Sequence, residues 1–358
     1  MGQMADTAAI LTHGQFTTSN AKTAHGLVRG PSRFRITAVI DAASSGQDAG
    51  TVLDGLHRGI PVVADLDTLL HSGAAPQWLV VGVATPGGVL PAGMKPILYQ
   101  ALERGISVAN GLHDFVSDDL QLVTAAARSG AAIVDIRRPK HRSEIHFWSG
   151  AIHQVTAPRI AVLGTDCALG KRTTCQVIAA AMRRRGLTAE MVYTGQTGWL
   201  QGSRFGFVLD STANDFVSGE LEHAIVSCDR ELRPSLILLE GQSALRNPSG
   251  PCGAELMLSG GARGVILQHA PARKFFDDQE HLHHEIPSLT SELELIRMYG
   301  SRVLAISLNH EHLDASARVA HKERIEGETG LTAFYPLIDG AERAMDAVLG
   351  YIESERAR

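Results

Sequence analysis

AVLGTDCALGKRTTCQV, residues 161–177, runs from an apolar segment through a glycine-rich turn to a lysine at the head of a helix. Such a turn holds phosphate, because successive backbone N–H groups point inward while the helix dipole and the ammonium add positive potential. Gly164 and Gly170 bracket the turn, Thr165, Asp166 and Cys167 line its start, Lys171 follows, and Thr173 and Thr174 supply hydroxyls. The pattern departs twice from GxxxxGK[ST]: five residues separate the glycines, and Arg172 stands between the lysine and the first threonine. A shift of one residue along a helix turns a side chain by about 100°. The hydroxyl that would hold Mg²⁺ in an ATPase is therefore out of its usual place, whereas the phosphate nest is kept. No protein-bound metal is expected.

Downstream, YTGQTGWLQGSRFG (193–206) follows a strand and places Gln196, Thr197 and Arg204 in a loop; ligands collect at the carboxyl edge of open α/β sheets, where such a loop lies. Asp210 and Asp215 come near a helix start and suit either a site or a cap. In LILLEGQSALRNP (236–248), a buried strand ends in Glu240, Gly241 and Gln242. That carboxylate emerges beside the phosphate loop, where it would reach Mg²⁺ through water in an ATPase or take a proton from an amine in an acylation. GVILQHAPARK (264–274) puts His269 at an equivalent strand end with Arg273 nearby, and Asn309 ends the strand LAISLN, where its amide suits an adenine. HLHHE (281–285) and NHEH (309–312) lack the HExxH spacing of a metal site and read as solvated surface.

The N-terminal half alternates strands and helices from residue 34 onward: FRITAVI, IPVVAD, WLVVGVA, ISVAN and AAIVDI are strands, separated by helices such as PILYQALERG and SDDLQLVTAAARSG. Strands joined by single helices require right-handed crossovers and a parallel sheet. The segment has no GxGxxG fingerprint. The irregular RRPKHRSEIHFWSGAIHQVTAPR marks a boundary, and a second αβ series begins with RIAVLG. The fold class expected is α/β, with a Rossmann-like doubly wound domain over residues 1–150 and a P-loop NTPase-like α/β domain over 151–358.

A net charge of −5 on 358 residues argues against a nucleic-acid partner, which would want a basic stripe; the run RRR at 183–185 reads as a solvated helix end. Four cysteines without a CxxC pair fit a reducing compartment. No basic leader with an apolar run precedes the first domain, and no window approaches the ~18 apolar residues of a spanning helix. The chain is expected to be soluble and cytoplasmic, with no membrane partner, and to form a homo-oligomer.

GTDCALGKRTT, YTGQTG, LLEGQSALRNP and LQHAPAR, together with IDAASSGQDAGTVLDG, VGVATPGG and NGLHDFVSDD in the first half, resemble a family of two-domain P-loop proteins known as a domain of unknown function, whose members include bacterial D-glutamate N-acetyltransferases. The opening GTD and the five-residue gap also resemble dethiobiotin synthetase. Where many members carry His-Pro after the EGQ segment, this chain has Asn247-Pro248, so any role of that imidazole does not transfer. The resemblance implies acetyl-CoA, whose phosphates need the nest and the dipole but no placed Mg²⁺, with Lys171, Arg172 and Thr173 holding the cofactor. It implies an acidic amino acid, D-glutamate, as the small-molecule acceptor, with Arg204, Arg246 and Arg273 available for its carboxylates. Glu240 or His269 would be the base, and backbone N–H groups or Gln242 the oxyanion donors. The rival is an ATP-dependent ligase or kinase with Glu240 and Asp166 around Mg²⁺; a nucleotide-binding regulatory protein is the third reading.

Overall fold

A computed structural model describes residues 5–73 and 75–357. They divide into two units, one running to Pro139 and including Gln196–Ser203, the other made of Lys140–Gly195 and the chain from Arg204 onward.

The first unit is a six-stranded parallel sheet in the order β3-β2-β1-β4-β5-β6, the doubly wound arrangement with its switch point beside β1. Its strands are β1 (Thr7–Leu11), β2 (Arg35–Ile40), β3 (Val62–Val63), β4 (Trp78–Val81), β5 (Ser107–Asn110) and β6 (Ile133–Asp135). Helices α1 (Lys22–Arg29), α2 (Ala49–Asp54), α3 (Leu66–His71), α4 (Met94–Glu103) and α5 (Leu120–Ser129) cross between them. The ends of α5 follow local chemistry: Asp119 accepts from the Gln121 and Leu122 N–H groups, and Gly130 closes the helix at φ +79°. The central strand β1, TAAIL, was not expected. Its two alanines carry little β preference, yet Ala8, Ala9, Ile10 and Leu11 are fully buried. The small side chains admit helices packed on both faces.

The second unit is a seven-stranded parallel sheet in the order β13-β12-β11-β7-β10-β8-β9, formed by β7 (Arg159–Gly164), β8 (Ala189–Tyr193), β9 (Phe205–Gly206), β10 (Leu236–Glu240), β11 (Gly264–His269), β12 (Arg302–Leu308) and β13 (Ala333–Phe334). The helices are α6 (Lys171–Arg184), α7 (Gln196–Leu200), α8 (Asn214–Leu232), α9 (Ala254–Leu258), α10 (Leu289–Met298), α11 (Ala315–Thr329) and α12 (Met345–Arg356), of which α7 belongs to the first unit. β7 lies between β10 and β11, so the chain leaves the sheet at its switch point directly into the phosphate loop. All five residues of β10 are buried, as a strand covered on both faces requires. Val162 stands level with Glu240, and Gly164 with Gln268. The register thus fixes which side chains meet the loop.

The chain enters β7 along a strap held by carboxylates of α8. Glu220 accepts from Lys140 Nζ at 2.6 Å and from the His146 backbone N–H at 2.9 Å, Glu222 from the Ser149 and Ile152 N–H groups, and Asp229 from the Ala157 N–H.

Candidate functional site

The loop after β7 is tightly ordered from within. Thr165 and Asp166 are fully buried, Ala168 takes a left-handed φ of +52°, and Gly170 caps α6 at φ +103°. The first N–H groups of α6 have no intrahelical acceptor, and the helix runs for 14 residues, so its dipole is fully developed there. Lys171 folds back over the loop: its Nζ donates to the Asp166 carbonyl at 2.6 Å and to the Ser243 carbonyl at 2.7 Å. Its stem explains two glycines. A Cβ at Gly164 would stand 3.1 Å from Lys171 Cδ, and one at Gly241 3.2 Å from the same atom as well as 2.3 Å from the Val162 carbonyl. Burial draws Lys171 below the usual ammonium range, against the pull of Cys167 and Asp166.

Lys171 is therefore a buried group with structural bonds. On the expectation that the loop holds coenzyme A, Lys171→Met, which keeps the stem and removes the ammonium, weakens coenzyme A binding by about 10- to 150-fold, the equivalent of a charge-assisted hydrogen bond of about 1.5–3 kcal/mol. It is also expected to lower the melting temperature, because two buried carbonyls lose a donor. Calorimetry on folded variant with unchanged coenzyme A affinity would remove the loop from the binding site.

The Asp166 side chain does not point to a ligand. Oδ1 accepts from the Cys167 N–H at 2.7 Å and from Asn247 Nδ2 at 3.2 Å; Oδ2 accepts from Arg273 Nη1 at 2.7 Å and from the Asp277 N–H at 2.8 Å. One carboxylate ties together the phosphate loop, the segment after β10 and the segment after β11. Both Asp166 oxygens thus carry two donors each, and Arg273 Nη1, also bonded to the Cys167 carbonyl and 3.7 Å from Asp277, is engaged inside the fold. Thr174 is likewise turned into the sheet, its hydroxyl donating to Gln268 Oε1 at 2.5 Å and lying 3.0 Å from Ser307 Oγ. Thr173, one residue earlier, is half-buried. Cys167 Sγ lies 3.4 Å from Ser243 Oγ and accepts from Asn247 Nδ2. Asn309 donates to the Leu169 carbonyl at 3.3 Å and accepts from the Glu311 N–H, so its amide braces the loop.

Glu240 ends β10 almost completely buried. Its Oε2 accepts from the Thr194 N–H at 3.0 Å, and its carbonyl accepts from the Thr194 hydroxyl at 2.7 Å. The Gly195 N–H also acts on the carboxylate, and Arg172 Nη1 stands 3.8 Å from Oε1. Burial raises the Glu240 carboxyl above the ordinary range, with Arg172, the Thr194 N–H and Lys171 pulling it back. Arg172 itself is four-fifths buried, and its Nε has no partner among the described residues. Gln242 donates Nε2 to the Thr194 hydroxyl at 3.0 Å, packed where a Cβ on Gly195 would come within 2.8 Å. His269 faces Thr165, Nδ1 to Oγ1 at 3.0 Å. Burial, reinforced by Arg324 and His321, lowers its imidazole to about 4, so it is neutral at pH 7.

The remaining expected residues scatter. Gln196 and Thr197 open α7 and pack with the first unit: a Cβ on Gly111 would touch Gln196, and the Thr197 and Thr23 hydroxyls are 3.2 Å apart. Arg204 stands before β9, at the amino end of the strand and away from the loop, paired with Glu231 in the last turn of α8. Arg246 donates to Glu292 Oε1 at 2.7 Å and to Ser291 Oγ at 2.6 Å. Asp210 sits in the turn after β9, next to Leu209, whose N–H reaches the Thr194 carbonyl. Thr194, Ser243 and Asp277 were not foreseen, because a backbone N–H or carbonyl of each is part of its role. No cluster of His, Cys, Asp and Glu fit to hold a metal ion occurs among the described residues, and none of their helices is long and apolar enough to cross a membrane.

Comparison with known proteins places this geometry in context. A family model described as a domain of unknown function, DUF1611_C P-loop domain, matches residues 146–345, and its companion, DUF1611_N Rossmann-like domain, matches residues 42–139. A D-glutamate N-acetyltransferase of Tritonibacter scottomollicae is 32% identical over 282 residues, covering 77% of this chain and 82% of that protein. One from Pseudoalteromonas sp is 29% identical over 272 residues, covering 74% and 78%. The crystal structure of a DUF1611 family protein from Anabaena variabilis ATCC 29413 superposes with a TM-score of 0.87 at 29% identity, covering 96% of this chain and 99% of that one.

Proposed function

The chain belongs to the two-domain DUF1611 family, and from that premise we propose that it is an enzyme moving the acetyl group of acetyl-CoA to the amine of an acidic amino acid, D-glutamate first among them. Acceptor and stereochemistry come from the names of the relatives. The observation that carries the reading is Glu240: a buried carboxylate beside a phosphate loop, held by the Thr194 N–H and facing the Arg172 guanidinium at 3.8 Å.

The loop residues fit coenzyme A. The N–H groups at the head of α6 and the remaining proton of Lys171 meet phosphate oxygens without help from a metal. Acetyl-CoA supplies an acyl group on a thiol leaving group. Glu240 Oε1 takes the proton that the acceptor amine loses. His269 is the weaker candidate on energetic grounds, since general-base efficiency rises as the catalytic pKa approaches the operating pH, and burial moves the imidazole away from it. Asp210, beside the Thr194 turn, is within the unit that holds Glu240 and suits the ammonium of an incoming amino acid.

Metal independence follows. With Thr174 turned into the sheet, Asp166 filled by N–H donors and Arg172 next to Glu240, the ligands that an ATPase would use for Mg²⁺ are occupied. Thiol release from acetyl-CoA in the presence of D-glutamate is expected to continue unchanged in EDTA. Turnover abolished by the chelator and restored by Mg²⁺ would give the ATP-dependent reading precedence.

A further inference from the structure

A tetrahedral acyl centre carries a negative oxygen that needs a donor, and most donors around Glu240 are engaged elsewhere. Gln242 Nε2 is bonded to the Thr194 hydroxyl. Lys171 holds two backbone carbonyls. The N–H groups heading α6 face the phosphate nest. Arg172 differs from all of these: its contact with Glu240, at 3.8 Å, is too long for a hydrogen bond, and its Nε is buried without a partner among the described residues. A buried cation whose one counter-ion stands at 3.8 Å is only partly compensated. A guanidinium held in this way gains most from an anion that forms beside it.

We propose that Arg172 is the oxyanion-binding catalytic residue of the transfer, acting side by side with Glu240. The gap between Oε1 and Nη1 matches a centre that turns its nitrogen to the carboxylate and its oxygen to the guanidinium. The acceptor nitrogen attacks the thioester carbonyl carbon, a C–N bond forms, and the carbonyl π pair moves onto oxygen next to Arg172, while Glu240 Oε1 takes the amine proton. The C=O bond then re-forms, the C–S bond breaks, and Glu240 returns its proton to the departing thiolate. The balance is amine plus acetyl thioester giving amide plus thiol, with the protein unchanged. Lys171 is the other cation acting on Glu240, and Cys175, fully buried, is the other titratable group beside Arg172.

This assignment rests on the acyl-transfer reading, and the test separates the two. Wild-type protein, Arg172→Lys and Arg172→Gln are assayed for thiol release from acetyl-CoA with D-glutamate, while calorimetry measures the affinity of each for coenzyme A alone. The expected result is a fall in kcat of about 10²- to 10³-fold in whichever variants fold, with coenzyme A affinity kept within about threefold, since the fork of the guanidinium and not mere charge is lost. Intact kcat with affinity reduced tenfold or more would make Arg172 a phosphate ligand and overturn the assignment; intact kcat with intact affinity would overturn it too. Absence of thiol release in the wild type would sink the acyl-transfer reading and the assignment together.

Discussion

Glu240→Gln is expected to lower kcat by about 10²- to 10⁴-fold, the usual contribution of general-base catalysis, while coenzyme A still binds. An α-amine has a reference pKa of about 7.7–8.0 in peptides and a higher one in a free amino acid; the ammonium gives its first proton to solvent on binding, and the attacking amine loses the second to a base as the C–N bond forms. Glutamine keeps the length of the side chain and an oxygen for the Thr194 N–H; what it removes is the lone pair and charge at Oε1. The sign of the pH dependence is set by burial, which raises the Glu240 carboxyl above the ordinary range. Activity falls as pH drops through that raised value, because the protonated carboxyl is no base, and the variant loses this acidic limb. His269→Gln is expected to change kcat by only a few fold. Near-normal turnover in Glu240→Gln with collapse in His269→Gln would place the base at the end of β11 instead of β10.

Asp166→Ala is expected to cost about 3 kcal/mol, the low end for breaking a buried ion pair, because Arg273 is one-fifth exposed and keeps Asp277 and Glu311 nearby. For a unit of about 200 residues this is a fall in melting temperature of about 6–12 °C. Four donors from three segments lose their acceptor at once. Asp166→Asn should also destabilise, since an amide NH₂ would face N–H donors. The decisive condition is thermal unfolding without nucleotide, coenzyme A or magnesium: a metal ligand would have no effect there. An unchanged melting temperature would dissolve the proposed node.

The two-unit α/β architecture was legible because its cause is local. RIAVLG ends in a glycine turn and LILLE in an acid, and both features survive into the structure as β7 with its loop and β10 with Glu240. β1 was hidden by its alanines, whose worth as a strand comes from packing between helices. β9 and β13 are two residues long, too short to show a period. The exchange of Gln196–Ser203 into the first unit depends on Leu200 joining a core built of residues far away in sequence. The arginines show the limit most plainly. A sequence gives the charge of Arg204, Arg246 and Arg273 but not their partners, and Glu231, Glu292 and Asp166 hold them. For Arg172 the long contact with Glu240 emerges only when the register of β7 and β10 is known.

Purified protein offered acetyl-CoA or Mg-ATP, each with D- and L-glutamate, decides the reaction by what is released. Acyl transfer predicts free thiol and N-acetylglutamate in equal amounts from acetyl-CoA, with and without EDTA, and no phosphate from ATP. Phosphate released from Mg-ATP without any thiol from acetyl-CoA would contradict it.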